Sequence, residues 1–300
     1  MADGTLRGET NPARGHYLQG VLFLVLSAVA FSSAGLFVRL IGRDAATILF
    51  WRGLFTIMAV VGFLLWRLGR DETWRQFRQM GRPGICVAVC QATSMACFIS
   101  SLQFTTVANN SIIFGTSPFM TAALAWFLIR ERPSLETIVL SLLALAGALL
   151  VVGSSFMLSR ASLTGDALAV IMTLMFSIKT VLVRQHQGRS MIPAGCLGAL
   201  FGSIGAAPFV ADWSIRSYEL LLFALFGFTQ QGAGLVLSTF GTARVPAAHA
   251  ALVLSLDLPL SPTWVWFFFG ERPTTMGLIG GLVVLAAIVT HIVIEGRRQR

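Results

Sequence analysis

The chain is expected to be an all-α integral membrane protein, with ten transmembrane helices arranged as two inverted five-helix repeats. Three observations lead there. Apolar residues make up 55% of the 300, charged residues only 12%, and the mean hydropathy is +0.77. A soluble domain carries about 25% charged residues, so this chain has too little charge to cover a water-facing surface. The apolar residues also come in long unbroken runs and do not alternate, which is the pattern of helices and not of a barrel. Finally, a signature recurs: Trp126 precedes Glu131-Arg132-Pro133 by the same distance at which Trp266 precedes Glu271-Arg272-Pro273.

Taken in order, residues 1–16 form a polar tail. The run from Tyr17 to Val38 is too long for a signal-peptide core and has no convincing cleavage site, so it is retained as the first helix. Further spans follow at 46–66, 83–104, 107–129, 134–155, 165–184, 191–211, 218–240, 247–269 and 274–294. Each is about 20 residues, enough at about 1.5 Å per residue to cross a hydrocarbon core of about 30 Å. The connection 68–82 sets Trp74 and Phe77 among Arg75, Arg78 and Arg82, the composition of a short helix lying on the membrane surface. No connection is long enough for a soluble domain.

The spans divide into a tail (1–16), a first repeat (17–155), a second repeat (156–294) and a tail (295–300). Helices 4 and 9 superimpose at an offset of 140 residues, which also pairs Gln91 with Gln231. Helices 1 and 6 align at 145, pairing Phe31 with Phe176, Ser32 with Ser177 and Arg39 with Arg184. Five helices is an odd number, so the second repeat enters the membrane from the opposite side. Inverted halves of this kind place a substrate site between them.

Orientation follows from positive charge. With both termini in the cytoplasm, fifteen arginines flank spans on the inside and only five on the outside. The net charge of +9 is therefore read as topology and not as a nucleic-acid surface. Cys86, Cys90, Cys97 and Cys196 lie inside apolar runs as small buried residues, with no disulfide frame and no metal site. Gly195, Gly198, Gly202 and Gly205 form a stripe that lets helices approach closely. No cluster of nucleophile and base supports an enzyme, and no cofactor is expected.

Polar groups inside spans are costly, so they mark candidate functional residues. Helix 3 carries Gln91, Ser94 and Phe98. Helix 4 carries Asn109, Asn110 and Ser117, and helix 6 Thr173, Ser177 and Lys179. Helix 8 carries Gln230 and Gln231, and helix 9 His249 and Asp257, the acid being followed by Pro259 and Pro262. For a zwitterionic amino acid, Asp257 would accept from the ammonium while Lys179 and the amides donate to the carboxylate. Each group also has a plainer reading. These plainer readings are amides that bond across helices, a Lys179 that reaches the inner surface or pairs with Asp257, and an Arg52 that reaches outward or meets a carbonyl. Trp264 and Trp266 suit an interfacial belt.

The segments VANNSIIFGTSPFMTAALAWFLIRERP (107–133) and 247–273, with Arg52 early in helix 2, resemble the drug/metabolite transporter superfamily and its EamA repeat. The resemblance covers about Gly20 to Ile294, and its texture is most similar to the YddG-type aromatic amino acid exporters. It implies a secondary transporter in a bacterial inner membrane, probing no nucleic acid and needing only lipid and a small solute as partners. The solute would be an aromatic or other neutral amino acid, exported by alternating access by a monomer. Organic cations, sugars and nucleotide-like metabolites are the alternative solutes. The resemblance also expects an acid directly before a proline in helix 9, whereas Leu258 is interposed here.

Overall fold

The computed structural model describes residues 12–130, 160–186, 191–242, 244, 253–254, 256–271 and 275–298, with scattered helical positions between 135 and 149. Among these residues every regular element is a helix. The first half gives α1 (Pro12–Ser32), α2 (Ala34–Ile41), α3 (Ala45–Gln79), α4 (Gly81–Phe104), α5 (Val107–Phe114) and α6 (Ser117–Ile129). The second gives α7 (Arg160–Gln185), α8 (Ile192–Ala206), α9 (Ser217–Leu225), a π-helical segment (Phe226–Ala233), α10 (Gly234–Thr242), α11 (Asp257–Phe269) and α12 (Thr275–Arg298). Seven stretches are long and apolar enough to cross a membrane: His16–Ile41, Ala45–Gln79, Gly81–Phe104, Val107–Leu128, Ser162–Val183, Ile192–Phe209 and Ser217–Ser238. The chain is a multi-pass membrane protein. Of the other three expected spans, 134–155 and the start of 247–269 lie largely outside the described residues. The apolar part of α12 is a shorter run, Leu278–Ala287.

Lipid explains the outer surface. Trp66 and Phe127 are 83% and 77% exposed, which water would penalise and hydrocarbon does not.

Breaks in the helices have local causes. The hydroxyls of Ser32 and Ser33 donate to the carbonyls of Val29 and Ala30 at 2.9 and 2.6 Å, which weakens the regular ladder between α1 and α2. Asp44 caps α3, accepting from Thr47 N at 2.9 Å and from its hydroxyl at 2.6 Å. Within α3, Gly69 adopts φ 75°, ψ 173°, a conformation open essentially to glycine alone. It separates the spanning part from residues 70–79, where helix is found for the expected surface segment. There Trp74 is exposed, while Phe77 packs against the core.

The fourth and ninth spans share one architecture. A tight turn interrupts the first before Ser117, with Thr116 N donating to Ile113 O at 3.1 Å and Met120 N to Thr116 O at 3.0 Å. In the other, Leu256 N donates to Val253 O at 3.2 Å and Leu260 N to Leu256 O at 3.1 Å. All four bonds are related by 140 residues. Helices α6 and α11 both run thirteen residues and both end in a left-handed residue, Arg130 (φ 55°) and Gly270 (φ 68°). Trp126 and Trp266 are equally exposed, 49% and 55%. The sequence echo is thus also an echo in backbone hydrogen bonding.

One end of the bundle is sealed twice over. An apolar cluster there includes Val38, Ile41, Ile48, Leu102, Val107, Phe223 and Val265. Beside it, Glu271 accepts from Arg39 Nε at 3.1 Å and from Val107 N at 3.3 Å, while Arg39 also donates to Leu102 O at 2.7 Å. Arg43 grips Glu219 with a two-pronged contact, 2.9 Å on each prong, and reaches Asp212 at 3.3 Å. The carboxyl of Asp212 is held below its ordinary value, first by donors from Ser214 and then by Arg43.

Candidate functional site

Helix α8 lies along α3 and α4 and leaves a cleft lined by these three helices and by Gln231 of the π segment. Leu49, Arg52, Thr56, Gln91, Met95 and Gln231 line it, opposite the small residues of α8. Its cavity volume is about 20 Å³, room for roughly one water. A metabolite enters only when the helices part.

Arg52 organises the site. It is 2% exposed, within the bundle at the wall of the cleft. Its Nη2 donates to Gln230 Oε1 at 2.7 Å and to Gln231 Oε1 at 3.0 Å, and its Cζ stands 4.6 Å from the Phe226 ring centre. The Nε is buried with no hydrogen-bond partner among the described residues. Two consecutive side chains on one guanidinium need a local departure from the α-helix, where neighbours diverge by about 100°. The π segment 226–233 supplies the wider turn, as such segments often do at functional sites. Gly227 allows the close approach: a Cβ there would lie 2.5 Å from that of Phe55 and 2.9 Å from Arg52 O.

Lys179 repeats the arrangement from α7. Its Nζ donates to Gln91 Oε1 at 2.8 Å and stands 4.2 Å from the Phe176 ring centre. It turns inward, pairs with an amide and makes no contact with Asp257. No carboxylate partners either cation among the described residues. Both amide contacts join the first half of the chain to the second.

The other expected residues are placed as follows. Gln91 and Gln231 line the cleft with Arg52, while Gln230 and Lys179 stand behind that wall, bonded to Arg52 and Gln91. Ser94 donates to Met172 O at 3.0 Å, tying α4 to α7. Phe98 packs against the apolar cluster at the sealed end. Asn109 donates to Thr105 Oγ1 at 3.4 Å, and Asn110 to Ser101 Oγ at 2.8 Å. Ser177 donates to Ser117 O at 3.3 Å, and Thr173 to Ala169 O at 2.7 Å. These six polar groups do not line the cleft. Asp257 opens α11, half-buried and without a partner among the described residues, and it too is not part of the cleft wall. His249 lies outside the described residues.

Some expectations are corrected. Arg52 does not reach outward; the carbonyls it meets are the side-chain amide oxygens of Gln230 and Gln231. Trp264 turns in from the expected belt to donate to Ser32 Oγ at 3.0 Å. The glycine stripe of α8 is only partly a packing device. A Cβ on Gly198 would sit 2.7 Å from Gln91 Cβ, whereas one on Gly195 or Gly205 meets nothing within 4 Å. Sequence reasoning also passed over Asp166, fully buried on α7 and bonded by Thr105 Oγ1 at 2.6 Å. Its place at the edge of the expected span 165–184, after the polar stretch Ser159–Gly165, hid the cost of that burial.

With this geometry in place, comparison with known proteins is informative. The sequence model of the EamA-like transporter family matches residues 18–153 and 163–292. An uncharacterized transporter of Archaeoglobus fulgidus is 28% identical over 275 residues, covering 90% of this chain and 95% of that protein. The pseudopaline exporter CntI of Pseudomonas aeruginosa is 24% identical over 282 residues, covering 90% and 94%. Human solute carrier family 35 member G1 is 23% identical over 295 residues, covering 90% and 78%. A solved crystal structure superposes with a TM-score of 0.66 at 17% identity, over 94% of this chain and 99% of the other, a likeness of fold alone.

Proposed function

We propose, since the chain belongs to the EamA-like transporter family, that it is a secondary carrier of small carboxylate-bearing metabolites, with neutral and aromatic amino acids foremost. It exports them across a bacterial inner membrane by alternating access. In this reading residues 17–155 and 156–294 are two five-helix halves, ten spans in all, inverted because five is odd, with both tails cytoplasmic and the monomer as the working unit. The hydrogen bonds that recur at an offset of 140 residues favour the repeat.

The observation that carries the proposal is a pair of cations inside spans, Arg52 buried and Lys179 half-buried, each held by amides from the opposite half: Arg52 by Gln230 and Gln231, Lys179 by Gln91. Charge inside a span costs about 2.5–3.5 kcal/mol even on permissive scales. A carrier has a use for that cost, because an arriving solute can take part in the contacts that join the halves. Met95 and Leu49 offer the side chain an apolar wall. Asp257 and Asn109 belong to the proposed pathway beyond the cleft, and His249 remains a proposed site residue.

The test is counterflow in proteoliposomes with labelled phenylalanine and leucine, against a competing panel of sugars and organic cations. Saturable, amino-acid-competed uptake that falls in Gln91→Ala supports the reading. Uptake competed by sugars or organic cations and not by amino acids would sink it. Unchanged flux in Gln91→Ala and Asp257→Asn would remove both residues from the site.

A further inference from the structure

The cleft has a polarity of its own, and it is one-sided. An amide beside a guanidinium or ammonium must present its oxygen, because its NH₂ end would be repelled. Gln91, Gln230 and Gln231 all present oxygens to Lys179 or Arg52. Their NH₂ ends are thereby left over, and Gln91 and Gln231 stand on the cleft wall. Arg52 Nε adds a buried donor with no partner among the described residues. Thr56 gives its proton to Arg52 O at 2.9 Å. No carboxylate lines the cleft, and Asp257 is elsewhere.

We infer that the cleft is an oxyanion site that recognises its solute by the carboxylate alone, so that the substrate class is organic acids whether or not they bear an amine. The inference rests on the transporter reading and narrows it. A carboxylate is planar, accepts in two directions and matches the guanidinium fork. It also supplies acceptors to a wall whose spare donors are all N–H groups, the Thr56 hydroxyl having given its proton to Arg52 O. An ammonium finds the opposite: two cations nearby and no anion to face. The amine of an amino acid is therefore tolerated at the cleft mouth and contributes nothing to affinity.

Small residues shape the facing wall. Gly195 lines the cleft, and a Cβ placed on it meets nothing within 4 Å, so a side chain there enters solute space from its first carbon onward. Gly205 is equally unobstructed but exposed and not on the cleft wall, which makes it a matched control on the same helix.

The experiment uses purified full-length protein in detergent, with melting followed by tryptophan fluorescence. Probes come in triplets of one carbon skeleton: phenylalanine, 3-phenylpropionate and phenethylamine, then leucine, 4-methylpentanoate and isoamylamine. The expected result is stabilisation by the acid at least equal to that by the amino acid, with none from the amine. Arg52→Gln should weaken the acid about ten- to hundredfold, the effect of one charge-assisted hydrogen bond. Gly195→Leu should abolish it while the unliganded melting point stays put, and Gly205→Leu should leave binding intact. Stabilisation by the amine, failure of every acid, or full binding in Gly195→Leu would overturn the inference. Acid binding without amino acid counterflow keeps the oxyanion site and removes the amino acid reading. Amino acid counterflow blocked equally by amines does the reverse.

Discussion

Neutralising Glu271 should loosen the sealed end of the bundle by a calculable amount. In Glu271→Gln the side chain keeps its shape and still accepts from Val107 N, but its charge is lost. The contacts at stake are Arg39 Nε at 3.1 Å and Arg39 Nη2 at 3.4 Å, between groups about a quarter exposed (27% and 24%). A charge-assisted pair with that much access to solvent is worth about 1–2 kcal/mol, above the surface median and below a dry pair. Arg39 keeps the Leu102 and Thr105 carbonyls, so the helix ends do not come apart outright. The expected consequence is opening about 5- to 30-fold more often. Hydrogen–deuterium exchange reads it directly, because the Val107 amide opens α5 and has Glu271 as its acceptor. The peptide spanning 105–112 should exchange faster in Glu271→Gln and in Arg39→Met, and the double variant should add nothing to either. Wild-type exchange in all three would refute the idea that this pair holds the end shut.

Three further outcomes are expected. Asp212 has its carboxyl pulled down by Ser214 and Arg43, so its stabilising effect is complete above the ordinary unfolded value of about 3.9. That effect is lost as pH falls through the lower native value; exchange of peptide 210–216 should rise in that acid window, and Asp212→Asn should flatten the response. Gly69→Ala should cost about 1–3 kcal/mol in thermal denaturation from backbone strain alone, since its Cβ meets no atom within 4 Å. The helical Gly62→Ala, equally unobstructed, should be neutral or gain up to about 1 kcal/mol, and equal effects at the two glycines would refute the assignment to φ. Arg130→Gly should stabilise by about 1 kcal/mol by removing a left-handed non-glycine residue, and Gly270→Ala should destabilise by a similar amount; melting points moving in the same direction would contradict this.

Much of the architecture was legible because lipid makes composition decisive. Runs of about 20 apolar residues, the surface segment after Gly69 and the echo at offset 140 all follow from cost arguments that need no partner. Gln91 and Gln231 were found by the same route, and both stand at the cleft. What stayed hidden was registration between helices. Arg39 and Glu271 were each visible as end-of-span charges, yet nothing in either run says that one faces the other across 232 positions. The π segment was equally unreadable, because FGFTQQGA fits an ordinary helix pattern and its extra residue shows only in the hydrogen bonds. Arg52 carried the right signal, its depth, and was misjudged because a guanidinium has many ways to satisfy itself. Asp257 was the most conspicuous residue in the sequence, and the cleft forms without it.

Neutral oxygens already surround both cations when nothing is bound, which bears on the return half of a carrier's cycle. A guanidinium stripped of a counter-ion would pin the protein until fresh cargo arrived, enforcing one-for-one exchange. In the proposed cycle the glutamines act as a built-in solvent, so reorientation without cargo is the expected outcome. Net efflux from loaded vesicles into solute-free buffer is the kinetic trace this leaves, and strict obligatory exchange would speak against it.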